Sequence, residues 1–343
     1  MKTANDAALQ PFGGVINEDL MQKVWDLSSI PLPFTDVISK GTHGNRRTEW
    51  TEDELAPPKG DNAVIDGADI DQDDAKLTTR LGNFTQISVK EVVLSHSLEA
   101  SDSVGNVGKL SYQIMQRQKE LRRDVEASML GFQGSVAGNG STIAGISAGL
   151  AAQLKTHVSV GLTGTVGGFN TTTGLFVAPV PGTKRALSEK LIRDLLQGVY
   201  TSGGNTEMLM ARPAVIRNLS EYLFTSTARV ATLTSEKSQN SPSALTAYGS
   251  VNVFVTDFGQ TVKMIDNRIQ LEEVEDSKVS TMYLLDPSHI TQSFLRGYRV
   301  EPLAKTGLSE KRLMSCEYSL KVYSEKSQGA IMAIDETAAV VGG

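Results

Sequence analysis

The chain has 343 residues, 40% of them hydrophobic and 21% charged, with a formal net charge of −6. That supports one large domain or two modest ones with a real core, and excludes a mostly disordered chain. The acidic balance argues against a dedicated nucleic-acid binder, which carries a basic surplus, without excluding a protein that encloses DNA. The single cysteine, Cys316, forbids an intrachain disulfide and a zinc cage and reads as a small buried residue in a reducing compartment. The polar N-terminus lacks the basic and apolar regions of a signal peptide. No apolar run approaches the roughly 20 residues of a membrane span, so no membrane partner is expected.

Residues 1–45 have few periodic apolar positions and contain Pro11, Pro31 and Pro33. They read as an extended arm with a short helix at 18–27. Two strand runs follow, one opening at Arg46–Trp50 and one over Leu81–Leu98. In the second, Thr85, Ile87 and Val89 alternate with Gln86, Ser88 and Lys90, as on a half-buried strand. Between them, residues 52–74 hold nine acids against one base, Lys59. Pro57 and Pro58 keep this stretch irregular, so it reads as a long, solvated hairpin end.

The strongest helix signal runs over 104–130, with Val107, Leu110, Ile114, Leu121, Val125 and Met129 on one stripe. Gly131 stops it. Its outer face carries Lys109, Arg117, Lys119, Arg122 and Arg123 against Glu120. Residues 131–185 turn to Gly, Ala, Ser and Thr, with only 150–160 expected to be ordered. A helix over 187–200 capped by Ser188 or Thr183, a short strand at 207–211 and a helix from Pro213 to Phe224 come next. Val251, Val253 and Val255 return through Val262 and Met264 as a hairpin turning at Asp257–Gly259. Strands at 281–285, 298–300, 316–323 and 329–334 complete an α+β chain.

Catalytic-looking strings fail on their context. Gly145-Ile-Ser147-Ala-Gly149 spells a nucleophile elbow, with His157 or His289 as a conceivable base, but the residues before it read as flexible loop instead of a strand. Asp257-Phe258-Gly259 spells the kinase triplet without the rest of a kinase. Asp69, Asp71 and Asp73 begin a calcium loop that lacks its glycine and its final glutamate. Gly182-Thr-Lys184-Arg185 lacks phosphate-loop spacing. No catalytic, cofactor-binding or metal residue is assigned, and no cofactor is expected.

Arg47-Thr-Glu-Trp50, Asp53-Glu-Leu55-Ala56, Asn62-Ala-Val-Ile-Asp-Gly67, Arg80-Leu-Gly-Asn-Phe-Thr-Gln86 and the stretch from Tyr112 to Ala127 resemble one branch of tailed-phage major capsid proteins. Ser147 to Thr156 is similar to that branch's segment after the helix. The resemblance implies the capsid fold named after phage HK97. On it, an N-terminal arm takes 1–45, an extended loop (E-loop) 46–90, and a peripheral domain 91–134 and 266–343. The spine helix runs over 104–130, and an axial domain takes 135–265. The implied function is a shell subunit forming pentamers and hexamers around double-stranded DNA. Portal, scaffolding and decoration proteins are its expected partners, in a virion assembled in the host cytoplasm. A nanocompartment shell protein of the same fold is the alternative. Glu52, Asp53 and Glu54 on the hairpin, and Arg117, Arg122 and Arg123 on the helix, are the expected intersubunit contacts by charge matching.

Overall fold

A computed structural model describes residues 31–53, 55–56, 58–61, 63, 65–67, 78–101, 109–225, 253–273, 277–305 and 307–342. The expected helix at 18–27, Val107, Glu54, Val251 and the aspartates at 69, 71, 73 and 74 lie outside the described residues. In chain order the elements are α1 (Pro33–Val37), β1 (Ser39–Thr42), β2 (Arg47–Glu52), β3 (Thr79–Phe84), β4 (Gln86–Ser95), α2 (His96–Ala100) and α3 (Leu110–Met129). Then come α4 (Leu150–Gln153), β5 (Val158–Ser159), β6 (Gly168–Asn170), β7 (Leu175–Val177), α5 (Glu189–Thr201), β8 (Met208–Ala211) and α6 (Pro213–Thr225). The chain ends through β9 (Val253–Val255), β10 (Thr261–Asp266), β11 (Val279–Leu285), β12 (Ile290–Pro302), β13 (Ser309–Val322) and β14 (Gly329–Asp335).

Two compact units divide the chain. The larger holds residues 31–89, 121–299 and 315 onward, and is built on a mixed six-stranded sheet of order β5-β14-β11-β8-β10-β9. β8 and β11 are buried along their whole length, as apolar runs such as Met208-Leu-Met-Ala211 require. α5 and α6 cover the sheet through Ile192, Leu195, Leu196, Val215 and Leu219, which join Leu209, Val262, Met282, Leu284 and Ile331 in one core cluster. Each such side chain contributes about 1.5–3 kcal/mol by leaving water. The sheet takes β11 and β14 from the range 266–343 and β5, β8, β9 and β10 from 135–265, so residue 265 is not a boundary between sheets.

A four-stranded sheet of order β1-β12-β13-β4 has strands longer than the runs at 298–300 and 316–323 suggested. The second strand run breaks at Thr85, whose backbone N–H donates to Arg46 and whose hydroxyl donates to Glu317 at 2.9 Å. β3 before the break pairs with β2, and β4 after it belongs to the four-stranded sheet. Over 86–90 the inward face of β4 is the one carrying the polar residues, continuous with the buried Val92 and Leu94. Ile87 and Val89 are 48% and 46% exposed, while Gln86, Ser88 and Lys90 are half-buried. Gln86 is held there by hydrogen bonds from Ser128 Oγ (3.2 Å) and Ser147 N (3.4 Å). A two-residue period separates the faces of a strand without saying which one turns inward.

Residues 131–185 are more ordered than their composition suggests. Besides α4 and β5 they form the β6–β7 hairpin and bridges at Val136–Ile146, Leu162–Thr183 and Thr165–Val180. Small residues permit close backbone approach: a Cβ at Gly149 would overlap the Gly131 carbonyl. Ser188 stands at the N-cap of α5 but makes no capping bond with its side chain. Gly203, with φ of 87°, ends that helix.

Candidate assembly surfaces

The β2–β3 hairpin pairs from Arg47 opposite Phe84 to Glu52 opposite Thr79. Its trunk is fastened to its own chain. Trp50 is buried and stacks on Phe176 (centroids 6.2 Å apart, 19° between planes), which meets Phe169 edge-on at 5.2 Å. Arg47 donates to the Gly174 carbonyl and pairs with Glu49, which Arg80 also contacts.

Below this stack lies a polar knot around the fully buried Asn83. Its amide nitrogen donates to the Leu320 carbonyl (2.8 Å) and to Ser147 Oγ (3.2 Å), and its oxygen accepts from the N–H groups of Ala148 and Phe84, both at 2.9 Å. Ser147 Oγ also accepts from Leu320 N at 3.2 Å. Ser147 is therefore a buried junction residue, not the loop serine its neighbours suggested. Neither candidate base stands with it: the His157 ring bonds Ser202 Oγ at 2.9 Å, and His289 lies 3.6 Å from Asp286.

Past the trunk the described residues stand in solvent. Asp53, Asp61 and Asp66 are exposed, Glu52 is half-buried, and Leu55 and Ile65 stand 94% and 83% exposed. Glu54, the third acidic contact candidate, lies outside the described residues.

On α3 the stripe Leu121, Val125 and Met129 faces inward. Arg117 pairs with Glu120 at 2.6 Å, and Arg122 lies over the Tyr298 ring at 5.5 Å, so both have partners in their own chain. The Arg123 Nε is buried without a hydrogen-bond partner. Glu126 is fully buried and sequence reading passed over it. Its carboxylate accepts from Phe34 N and Thr35 N (both 3.3 Å), from Thr35 Oγ1 (2.7 Å) and from Asn267 Nδ2 (2.7 Å). Burial raises its pKa above the usual carboxylate range, and the hydrogen bonds of Thr35 and Asn267 oppose that rise. The available signal was its place one residue after Val125 on the inward stripe.

The remaining motifs are structural. Asp257-Phe258-Gly259 is the β9–β10 turn. Asp257 accepts two bonds from Arg193 (2.7 and 2.6 Å), Phe258 stacks on Tyr200 at 4.9 Å, and Gly259 has φ of 79°. Burial pushes the Cys316 thiol up to about 12, so it stays protonated. On the loop before β11, burial raises Glu273 to about 7 against hydrogen bonds from Thr281 Oγ1 (2.6 Å) and Ala333 N (2.7 Å) of the six-stranded sheet. Among the described residues no group of three His, Cys, Asp or Glu side chains is placed to hold a metal, and no helix is long and apolar enough to cross a membrane.

A long helix, a hairpin trunk leading to a solvated acidic end, and two mixed sheets define the class: this is the HK97 capsid fold, found in shell-forming proteins. The capsid protein of a native GTA particle superposes with a TM-score of 0.57 at 10% identity, over 96% of this chain and 99% of that one. An encapsulin, SrpI of Synechococcus elongatus PCC 7942, gives 0.54 at 12% identity over 98% of both chains. The chain belongs to the SU10 major capsid protein family, whose model matches residues 2–335. The major capsid protein of Escherichia phage Phieco32 is 26% identical over 337 residues, spanning 89% of this chain and 90% of that protein. The resemblance in the hairpin and helix motifs is thereby confirmed: the protein is a phage major capsid protein, a structural part of the virion.

Proposed function

We propose that copies of this chain assemble into pentamers and hexamers that close an icosahedral head around double-stranded DNA. Portal, scaffolding or decoration proteins complete the assembly in the host cytoplasm. The observation that carries this is the hairpin, which has a trunk fixed to its own chain and an acidic end presenting Leu55 and Ile65 almost fully to solvent. Exposed apolar side chains on a projecting element find their partner on another molecule. Repeated head-to-tail contacts of this kind close rings and shells.

The arm is assigned to 1–45 and the E-loop to 46–90. The peripheral domain takes the four-stranded sheet and the spine helix. The axial domain, drawn at 135–265, is extended to include β11 and β14, because they share a sheet with β8 and β10. Glu52, Asp53 and Glu54 remain proposed intersubunit contacts, with Arg117, Arg122 and Arg123 as candidate acceptors. Arg117 and Arg122 would have to exchange or share their present partners to serve.

The test is negative-stain microscopy and light scattering of the expressed chain. Capsomers or shells are expected, and a monomer at every salt and concentration overturns the reading. Arg122→Glu with Arg123→Glu should leave folded, soluble protein with impaired shell closure. Normal assembly of that variant removes these arginines from the interface. A nanocompartment shell is the second reading, favoured by the encapsulin likeness, but the family match over 2–335 supports the phage head.

A further inference from the structure

Of the asparagines in the chain, Asn139 alone is followed by glycine. It sits in a turn closed by the Val136–Ile146 bridge, whose two backbone hydrogen bonds measure 3.0 and 3.1 Å. Inside the bridge, Asn139 N donates to the Ile143 carbonyl at 3.1 Å. Residues 139–144 are exposed, so water reaches the whole turn. Gly140 has φ of 77°, in the left-handed region that favours glycine, and a Cβ added there would meet no atom within 4 Å.

The Asn139 side chain folds back past the Gly140 peptide. Its Oδ1 accepts from the backbone N–H groups of Ser141 (3.0 Å), Thr142 (2.9 Å) and Ile143 (2.8 Å). Its Nδ2 donates to Thr142 Oγ1 at 2.8 Å. Three N–H dipoles on one carbonyl oxygen polarise Cγ and stabilise negative charge that develops on Oδ1, as an oxyanion hole does. The Gly140 N–H, next along the chain, makes no hydrogen bond among the described residues.

We propose that Asn139 is a self-modification site, converted to aspartyl and isoaspartyl residues in the folded chain. The Gly140 nitrogen attacks Asn139 Cγ, and the new N–Cγ bond closes a five-membered succinimide. The Cγ–Nδ2 bond breaks, and ammonia leaves with the proton that the Gly140 nitrogen gives up. The Thr142 hydroxyl stands within reach to relay that proton. Water then opens the ring at either carbonyl, and the carboxyl it creates ionises. One water is consumed and one ammonia released, with no oxidant or cofactor. The aspartyl product keeps the three N–H donors on an oxygen that is now charged, which strengthens those bonds. The isoaspartyl product carries an extra methylene in the backbone of the turn. A virion does not replace its protein, so the charge accumulates from copy to copy with age.

Asn170 supplies a comparison within the same chain. Its Oδ1 accepts from Thr172 N (2.9 Å) and Thr173 N (3.3 Å) in a similar turn. The residue after it is Thr171, whose β-branched side chain crowds the attacking nitrogen.

The test holds the folded, unaltered chain at mildly alkaline pH, where a peptide nitrogen loses its proton more readily, and samples it over days. Trypsin separates 124–155, in which Asn139 is the only asparagine, from 156–184, in which Asn170 is the only one. A sample digested at the start sets the background. The first peptide should gain the mass of NH exchanged for O and split into two chromatographic forms, while the second stays unchanged. Gly140→Ala should slow the change about tenfold, the factor that ~1.4 kcal/mol on the barrier produces. The unaltered chain decides alone if that variant does not fold. An intact 124–155 over an interval in which a synthetic 136–146 peptide converts overturns the proposal. Equal conversion of 156–184, or an unchanged rate in folded Gly140→Ala, overturns it as well.

Discussion

The six-stranded sheet and the hairpin trunk sit in the same compact unit and are held in different ways. In the sheet, whole strands such as β8 and β11 are buried among aliphatic side chains from α5 and α6, and the interaction is spread over many residues. The trunk has one aromatic stack at Trp50 and one hydrogen-bonded amide, Asn83, that ties three segments together. Aliphatic burial is non-directional and tolerates repacking, so it holds a body together without fixing an angle. A buried amide with its partners satisfied is directional, and losing one partner leaves others unpaired in a dry site. For an element proposed to meet another subunit, a fixed direction matters more than a large burial energy.

The largest expected effect lies in the sheet. Leu209→Ala should cost about 2–5 kcal/mol and reduce soluble yield, read by urea unfolding. A cost under 1 kcal/mol would mean that the core at β8 collapses around the cavity. Asn83→Ala should cost about 1–3 kcal/mol by stranding Ala148 N and leaving Leu320 O to Gln153 Nε2 alone. Its signature is local: amide exchange should quicken over 79–84 while 208–211 stays protected. Uniform loss of protection would erase the distinction between the two regions.

A carboxylate on the loop before β11, hydrogen-bonded to the sheet, also titrates. Glu273 has its folded pKa raised from 4.5 to about 7, so its neutral form is the one the fold favours. Its stabilising contribution is complete below pH 4.5 and is lost as pH rises through 7. Between pH 8 and pH 5 the unaltered chain should therefore gain stability on acidification relative to Glu273→Gln, on the order of 1–2 kcal/mol. Parallel pH profiles for the two proteins would remove Glu273 as the cause. The smallest effect is at the trunk: Ser147→Ala removes an acceptor shared by Asn83 and Leu320 and should cost about 1 kcal/mol. Shells should still form. Intact shells with lost infectivity would point to chemistry at Ser147.

Most elements were legible because their signals are local. The α3 stripe at Leu121, Val125 and Met129, Pro213 at the start of α6, the Asp257–Gly259 turn and the apolar run of β14 each appear within a few residues of chain. The hairpin's acidic end was equally plain in the composition of 52–74. What failed to show was which side of an alternating strand turns inward. Ile87 and Val89 face out because the other face of β4 buries Val92 and Leu94 and gives Gln86 partners on Ser128 and Ser147, some 42 and 61 residues away.

By itself, the sequence determined the type and order of most elements, the acidic hairpin, the spine helix and, through motifs in both, the capsid family. Periodicity, turn chemistry and charge are properties of neighbouring residues, and they survive without coordinates. The roles of Asn83, Ser147 and Glu126 were decided only by the tertiary structure. A buried polar side chain is defined by its partners, and those partners come from segments that only the folded chain brings together.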